Sequence, residues 1–136
     1  MMVGIVLGMV LAACGGESVF SMEVGLCFND EADAADEVSS VPDVPCEEPH
    51  DNEVFALVQY SGETFPGAEA MQAEAADLCI GQFEAYVGLA YEESELDVYP
   101  LVPTQASWDN GDREIVCALY ALDLSELTGS MKGAAR

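Results

Sequence analysis

Positive charge is nearly absent from this chain of 136 residues: three Lys and Arg stand against 26 Asp and Glu, a formal net charge of −23. That scarcity excludes nucleic acid as a partner, because phosphate binding needs a cationic footprint. It equally excludes docking on anionic lipid through a basic patch. Histidine is scarce too: His50 stands alone, so a Ser-His-Asp triad would have to be built on it. The signatures G-x-S-x-G, C-x-x-C and H-E-x-x-H and the phosphate-binding loop are missing. No apolar run reaches the roughly 20 residues that cross a bilayer, and no internal repeat is visible. At this length one domain with a modest core is expected.

What is present begins with MMVGIVLGMVLAA, eleven apolar residues and two glycines without a charge. This stretch suits the h-region of a signal peptide, and Leu11-Ala12-Ala13-Cys14 resembles the lipobox of a bacterial lipoprotein. Cleavage before Cys14 would leave that cysteine as the lipidation site, and two or three acyl chains give stable anchoring where one gives marginal binding. The expected plan is therefore a lipoprotein signal peptide over 1–13, a tether over 14–22, a domain over 23–124 and a flexible tail over 125–136. Without the leader the hydrophobic share falls from 51% to about 47%, the ordinary globular range.

Four cysteines remain: Cys27, Cys46, Cys79 and Cys117. An even count in an exported protein reads as two disulfides, each contributing about 3–4 kcal/mol in the loop-entropy picture. Zinc is the competing use, set aside for want of C-x-x-C and of a second histidine.

The clearest element is a helix over roughly 68–87, with Met71, Ala75, Leu78, Cys79, Gln82, Phe83 and Tyr86 on one stripe. Strands are expected at 24–28, at 53–60, at 96–102 and at 113–122, with an extended edge segment at 38–45 whose two prolines limit its pairing. In 53–60, alternation puts Val54, Ala56, Val58 and Tyr60 on one face and Phe55 and Leu57 on the other, an interior strand. Ile115, Cys117 and Leu119 share a face of the last strand. If that face lies under the helix, Cys117 meets Cys79, and Cys27 is left to pair with Cys46. The order of elements predicts an α+β fold, one long helix packed on a small, mostly antiparallel sheet with two disulfides. Residues 103–112 read as a loop.

Few residues invite a chemical role. Asn29 to Glu37 holds five acids and no large apolar residue. It lacks the EF-hand arrangement, so no metal and no cofactor are expected. His50 sits among Glu47, Glu48 and Asp51 and reads as a turn residue bonded to backbone beside a disulfide. Arg113 is the single Lys or Arg between residues 22 and 124 and is expected to form a fork-shaped salt bridge with Asp112 or Asp109. Trp108 is either a binding aromatic in a polar loop or a plug at the end of the sheet. The candidate contact residues are thus Trp108, Asp109, Asn110 and Arg113, with His50; none is expected to be catalytic.

Gly25-Leu26-Cys27-Phe28, then Val44-Pro45-Cys46-Glu47-Glu48-Pro49-His50-Asp51-Asn52-Glu53-Val54, resemble the G-x-C-F and V-x-C-x-x-P-H-x-x-E-V segments of the actinobacterial septum-formation domain. Phe65-Pro66-Gly67, Cys79, Phe83, Tyr86-Val87-Gly88, Pro103-Thr104, Trp108, Gly111-Asp112-Arg113 and Cys117 continue the resemblance in the same order, over about residues 24–120. It implies an extracytoplasmic or membrane-tethered module named for cell division, with disulfide-bonded cysteines and no established catalytic residues. The combined expectation is a non-enzymatic, lipid-anchored protein on the outer face of the cytoplasmic membrane, the alternatives being a secreted hydrolase of envelope polymers acting through carboxylates or His50, or a cation-binding lipoprotein using the 29–37 segment. Its partners would be the membrane, through lipid, and an envelope protein or polymer.

Overall fold

The structure, a computed structural model, describes residues 17–18, 22–30 and 40–136. The signal peptide, Cys14 and the acidic segment past Asp30 lie outside the described residues. Ten elements follow in order: β1 (Glu17–Ser18), β2 (Cys27–Phe28), β3 (Ser40–Val41), β4 (Asp43–Val44), β5 (Asn52–Gln59), α1 (Ala68–Val87), a 3-10 turn (Tyr91–Glu93), β6 (Leu96–Leu101), α2 (Gln105–Asp109) and β7 (Glu114–Ala121). Five strands form one antiparallel sheet in the order β4-β2-β5-β7-β6. β1 pairs separately with β3. The fold is α+β, as the order of elements predicts, and no helix among the described residues is long and apolar enough to cross a membrane.

The helix α1 follows directly from spacing. Met71, Ala75, Cys79, Phe83 and Val87 recur every fourth residue and are all buried, so one stripe lies on the sheet. Gly88 ends the helix at φ 86°, a left-handed geometry that suits a residue without Cβ. Leu78, expected in the stripe, is instead 39% exposed.

Under the helix lie Phe55, Leu96, Ile115, Cys117, Leu119 and Ala121. On the other sheet face, Phe28, Val54, Val116 and Ala118 pack with Met22 and Val41. Both faces of β5 and β7 are therefore apolar, in keeping with their interior places. β6 takes an edge, where Pro100 is tolerated. Cys27 pairs with Cys46 and Cys79 with Cys117, Cα atoms 5.3 and 5.4 Å apart.

Four expectations need correction. The strand at 24–28 shrinks to Cys27–Phe28, because Glu23 to Leu26 is a turn closed by the Leu26 amide on the Glu23 carbonyl at 3.1 Å. The alternation in β5 breaks at a bulge between Val54 and Ala56. An extra residue reverses the faces, so Val54 looks away from α1 while Phe55, Ala56 and Val58 pack on its side. The region read as a tether is engaged by pairing at Glu17–Ser18 and by the buried Met22.

The last correction is the largest. The segment read as a flexible tail is docked, with Leu127 1% and Met131 3% exposed. His50 and Leu127 exchange two backbone hydrogen bonds, of 3.0 and 2.7 Å. The amides of Gly133 and Ala135 donate to the carbonyls of Tyr86 and Val87 at the end of α1. Arg136 closes the segment with an ion pair to Glu95.

Candidate functional site

The contact residues expected from sequence do not converge. His50 stands two residues before the first of β5, whereas Arg113 lies opposite Tyr60 beyond its last, its carbonyl accepting from the Tyr60 amide. Eight strand residues at about 3.4 Å each separate the two ends.

At the Arg113 end, residues 105–109 form the short helix α2 rather than a loop, because Thr104 and Ser107 cap each other reciprocally. The cap turns Trp108 inward to 7% exposure, against Tyr60 and Phe65 with ring centroids 5.8 Å away in each case. The Arg113 guanidinium lies 3.4 Å from the centroid of the Trp108 ring and donates to the carbonyls of Trp108 and Asp112. The expected carboxylate pair is not formed: Asp112 Oδ1 accepts the Glu114 amide and Asp109 Oδ1 accepts from Gln105. The Trp108 carbonyl at the end of α2, which also accepts the Gly111 amide, and the Asp112 carbonyl lie within reach of the guanidinium while it stacks on the indole. Asn110 is exposed and bonds back to the Ala106 carbonyl. Trp108 thus occupies the position of a plug.

At the other end, His50 is fully buried. Its Nδ1–H donates to the Glu48 carbonyl at 2.8 Å, and its Nε2 has no partner among the described residues. A buried acceptor left unpaired costs about 1–3 kcal/mol. Beside it Glu53, also fully buried, is held by three donors: Tyr86 Oη and Ser130 Oγ on Oε1, and the Met131 amide on Oε2, at 2.6–2.7 Å. Burial, and then the bond to Glu53, push the Tyr86 hydroxyl up to about 12. Glu53 was not among the expected contact residues, because alternation in a strand does not tell a buried glutamate from a solvated one; the sign available was its place, with His50, in the V-x-C-x-x-P-H-x-x-E-V segment.

Toward the His50 end, on the sheet face away from α1, lies a groove of about 450 Å³. Its apolar walls are Phe28, Tyr99, Leu101 and Tyr120, and Asp30 and Asp51 stand at its rim. Strand alternation puts these aromatics there: Tyr99 pairs with Ala118 and Leu101 with Val116, both on the second core face, and Tyr120 follows two residues after Ala118. The rim is braced, for Asp30 N–H donates to Asp51 Oδ2 and Asn52 Nδ2 to Asp30 Oδ1, at 2.9 and 2.8 Å. Below Tyr120, Asp97 accepts from the hydroxyls of both Tyr120 and Tyr91. Burial pushes the Asp97 carboxyl up, but the bonds from Tyr91, the Val98 amide and Tyr120 outweigh it and hold the group below its ordinary value. The Tyr91 hydroxyl is raised to about 12 by that same bond, and then by burial. The usable signal was the alternation Asp97, Tyr99, Leu101, which puts three dissimilar side chains on one face.

The fold and groove define a small disulfide-stapled α+β domain with a half-open aromatic groove on its sheet. The chain belongs to the septum-formation family, whose model, described as "Septum formation", matches residues 18–136. Membership relates the protein to cell division. The match also takes in the docked C-terminal segment, beyond the 24–120 span of the resemblance. No curated protein and no solved structure matches the chain.

Proposed function

We propose that this is a lipid-anchored, extracytoplasmic and non-enzymatic module. In this reading it holds an envelope protein or polymer at the division septum, and the site of contact is the groove of Phe28, Tyr99, Leu101 and Tyr120. The observation that carries the reading is the groove itself: exposed aromatic surface on a rigid sheet, with braced acids at its rim. Surface of that kind is what a binding face needs. The burial of His50 favours a structural rather than a catalytic use of the one imidazole. The lipobox-like Leu11-Ala12-Ala13-Cys14 and the two disulfides favour an anchored protein in an oxidising compartment.

Immunofluorescence of the untagged protein in dividing cells tests the groove. Tyr99 is 41% and Leu124 80% exposed at its wall, so Tyr99→Ala with Leu124→Ser should keep the melting temperature and lose enrichment at the septum. Enrichment equal to wild type would discard the groove as the contact. Labelled palmitate incorporated by wild type and lost in Cys14→Ala tests the anchor; equal labelling of both would remove it.

A further inference from the structure

We propose that, when the Cys27–Cys46 disulfide is reduced, the buried pole of the domain becomes a site for a zinc-class divalent cation held by Cys27, Cys46, His50 and Glu53. The inference does not depend on the groove or on the anchor.

Three ligand atoms are already gathered. Cys27 Sγ, a His50 ring nitrogen and a Glu53 carboxylate oxygen all lie within 4.8 Å of one another, and all three residues are buried. The register puts them there: Cys27 is directly opposite Glu53 in the β2–β5 pair, and His50 precedes Asn52 at the start of β5. Cys46 Sγ lies outside that group but is bonded to Cys27 Sγ, so reduction frees a second thiol next to it as the fourth donor, giving the number and kind that tetrahedral zinc takes.

The independent observation is His50. Its Nδ1–H is committed to the Glu48 carbonyl, so Nε2 carries a lone pair that is buried and unpartnered. A metal-binding imidazole shows the same arrangement, one nitrogen fixed by a backbone carbonyl and the other left to the ion. Glu53 is prepared in a similar way, its oxygens oriented by Tyr86, Ser130 and the Met131 amide. Entry is through Cys46, which is partly exposed beside the exposed acids Glu47 and Glu48.

The chemistry balances. A dithiol reductant gives two electrons and two protons to the S–S bond and becomes a disulfide itself. Zinc then displaces the two thiol protons to solvent as the Zn–S bonds form. β2 and the turn at Cys46 stay joined in both states, by sulfur in one and by metal in the other.

The test uses the full chain, treated with a phosphine under anaerobic conditions, given one equivalent of zinc and desalted. The reduced wild type should retain about one zinc per chain and the oxidised wild type none. In the reduced protein, zinc should slow alkylation of Cys27 and Cys46, read peptide by peptide, and leave Cys79 and Cys117 unchanged. Cobalt in place of zinc should give the thiolate-to-metal absorption band, lost in Cys27→Ser and weakened in His50→Ala. Equal zinc content in the reduced and oxidised wild type would overturn the site. So would protection of Cys79 and Cys117 in place of Cys27 and Cys46. Both readings use the wild type, so misfolding of a variant cannot decide the matter.

Discussion

Arg113 has two acids as sequence neighbours, Asp112 and its own follower Glu114, yet it settles on an indole ring and two carbonyls. In a chain this acidic, exposed carboxylates are already solvated and a pair between exposed groups yields little. The Trp108 and Asp112 carbonyls are fixed by the backbone beside the stacked guanidinium, so bonding them costs little further ordering. The ion-pair expectation failed because it weighed formal charge and left out backbone acceptors. Replacing Arg113 by Lys keeps the charge but loses the planar stack and one carbonyl bond. The melting transition should fall by the equivalent of about 1–2 kcal/mol, followed by calorimetry. Asp97 offers a second residue-scale prediction. Its carboxyl is held below the ordinary 3.8, so its ionised form stabilises the fold above that value, and the benefit is lost as pH falls through the lower folded value. Asp97→Asn should therefore melt earlier than wild type at neutral pH. The gap should close on acidification below 3.8; a gap independent of pH would count against the Tyr91–Asp97–Tyr120 bonds.

At the scale of elements, α1 and β7 were legible because each carries a repeating signal over many residues. β5 was legible as a strand but not in its facing, since a single bulge reverses the alternation and no residue at Phe55 announces it. α2 was read as a loop because its stability comes from one local cap at Thr104 and from packing of Trp108, neither a periodic feature. The C-terminal segment was misread for a related reason. Leu127 and Met131 are isolated apolar residues in a polar stretch, and their partners are His50, Glu53 and the end of α1, between about 40 and 80 positions away. Leu127→Ala, removing a residue 1% exposed, should destabilise the domain by about 2–5 kcal/mol. Leu124→Ala, at 80% exposed, should change little. Equal, small effects in denaturant titrations would mean that the segment does not dock in solution.

For the molecule as a whole, the charge of −23 acts against compactness through self-repulsion and in favour of solubility. Two disulfides and two apolar sheet faces hold the fold against it. Raising salt from 0.1 to 1 M shortens the screening length from about 10 to about 3 Å. The melting temperature should rise by at least several degrees, alike in sodium and potassium chloride. A flat response would mean that the acids are too widely spaced to repel. The same charge restricts partners: a ligand for the acid-rimmed groove should be neutral or cationic, because an anion would meet Asp30 and Asp51 at the entrance.

Sequence by itself determined the layered α+β plan, the helix bounds, the four paired cysteines and the family. Each is written in local periodicity or in residue types whose chemistry leaves few alternatives. The ordered segments around Cys27, His50 and Arg113 identified the family without placing those residues near one another. Only tertiary structure decided what these residues do: the β5 bulge chose the faces, and the returning C-terminal segment enclosed Glu53 beside His50. Strand pairing assembled the Tyr99–Tyr120 groove from β6 and β7. The physical reason is separation along the chain. A periodic pattern is read within a few turns or residues, whereas a buried carboxylate and its donors, or two walls of a groove, are joined only when distant strands pair.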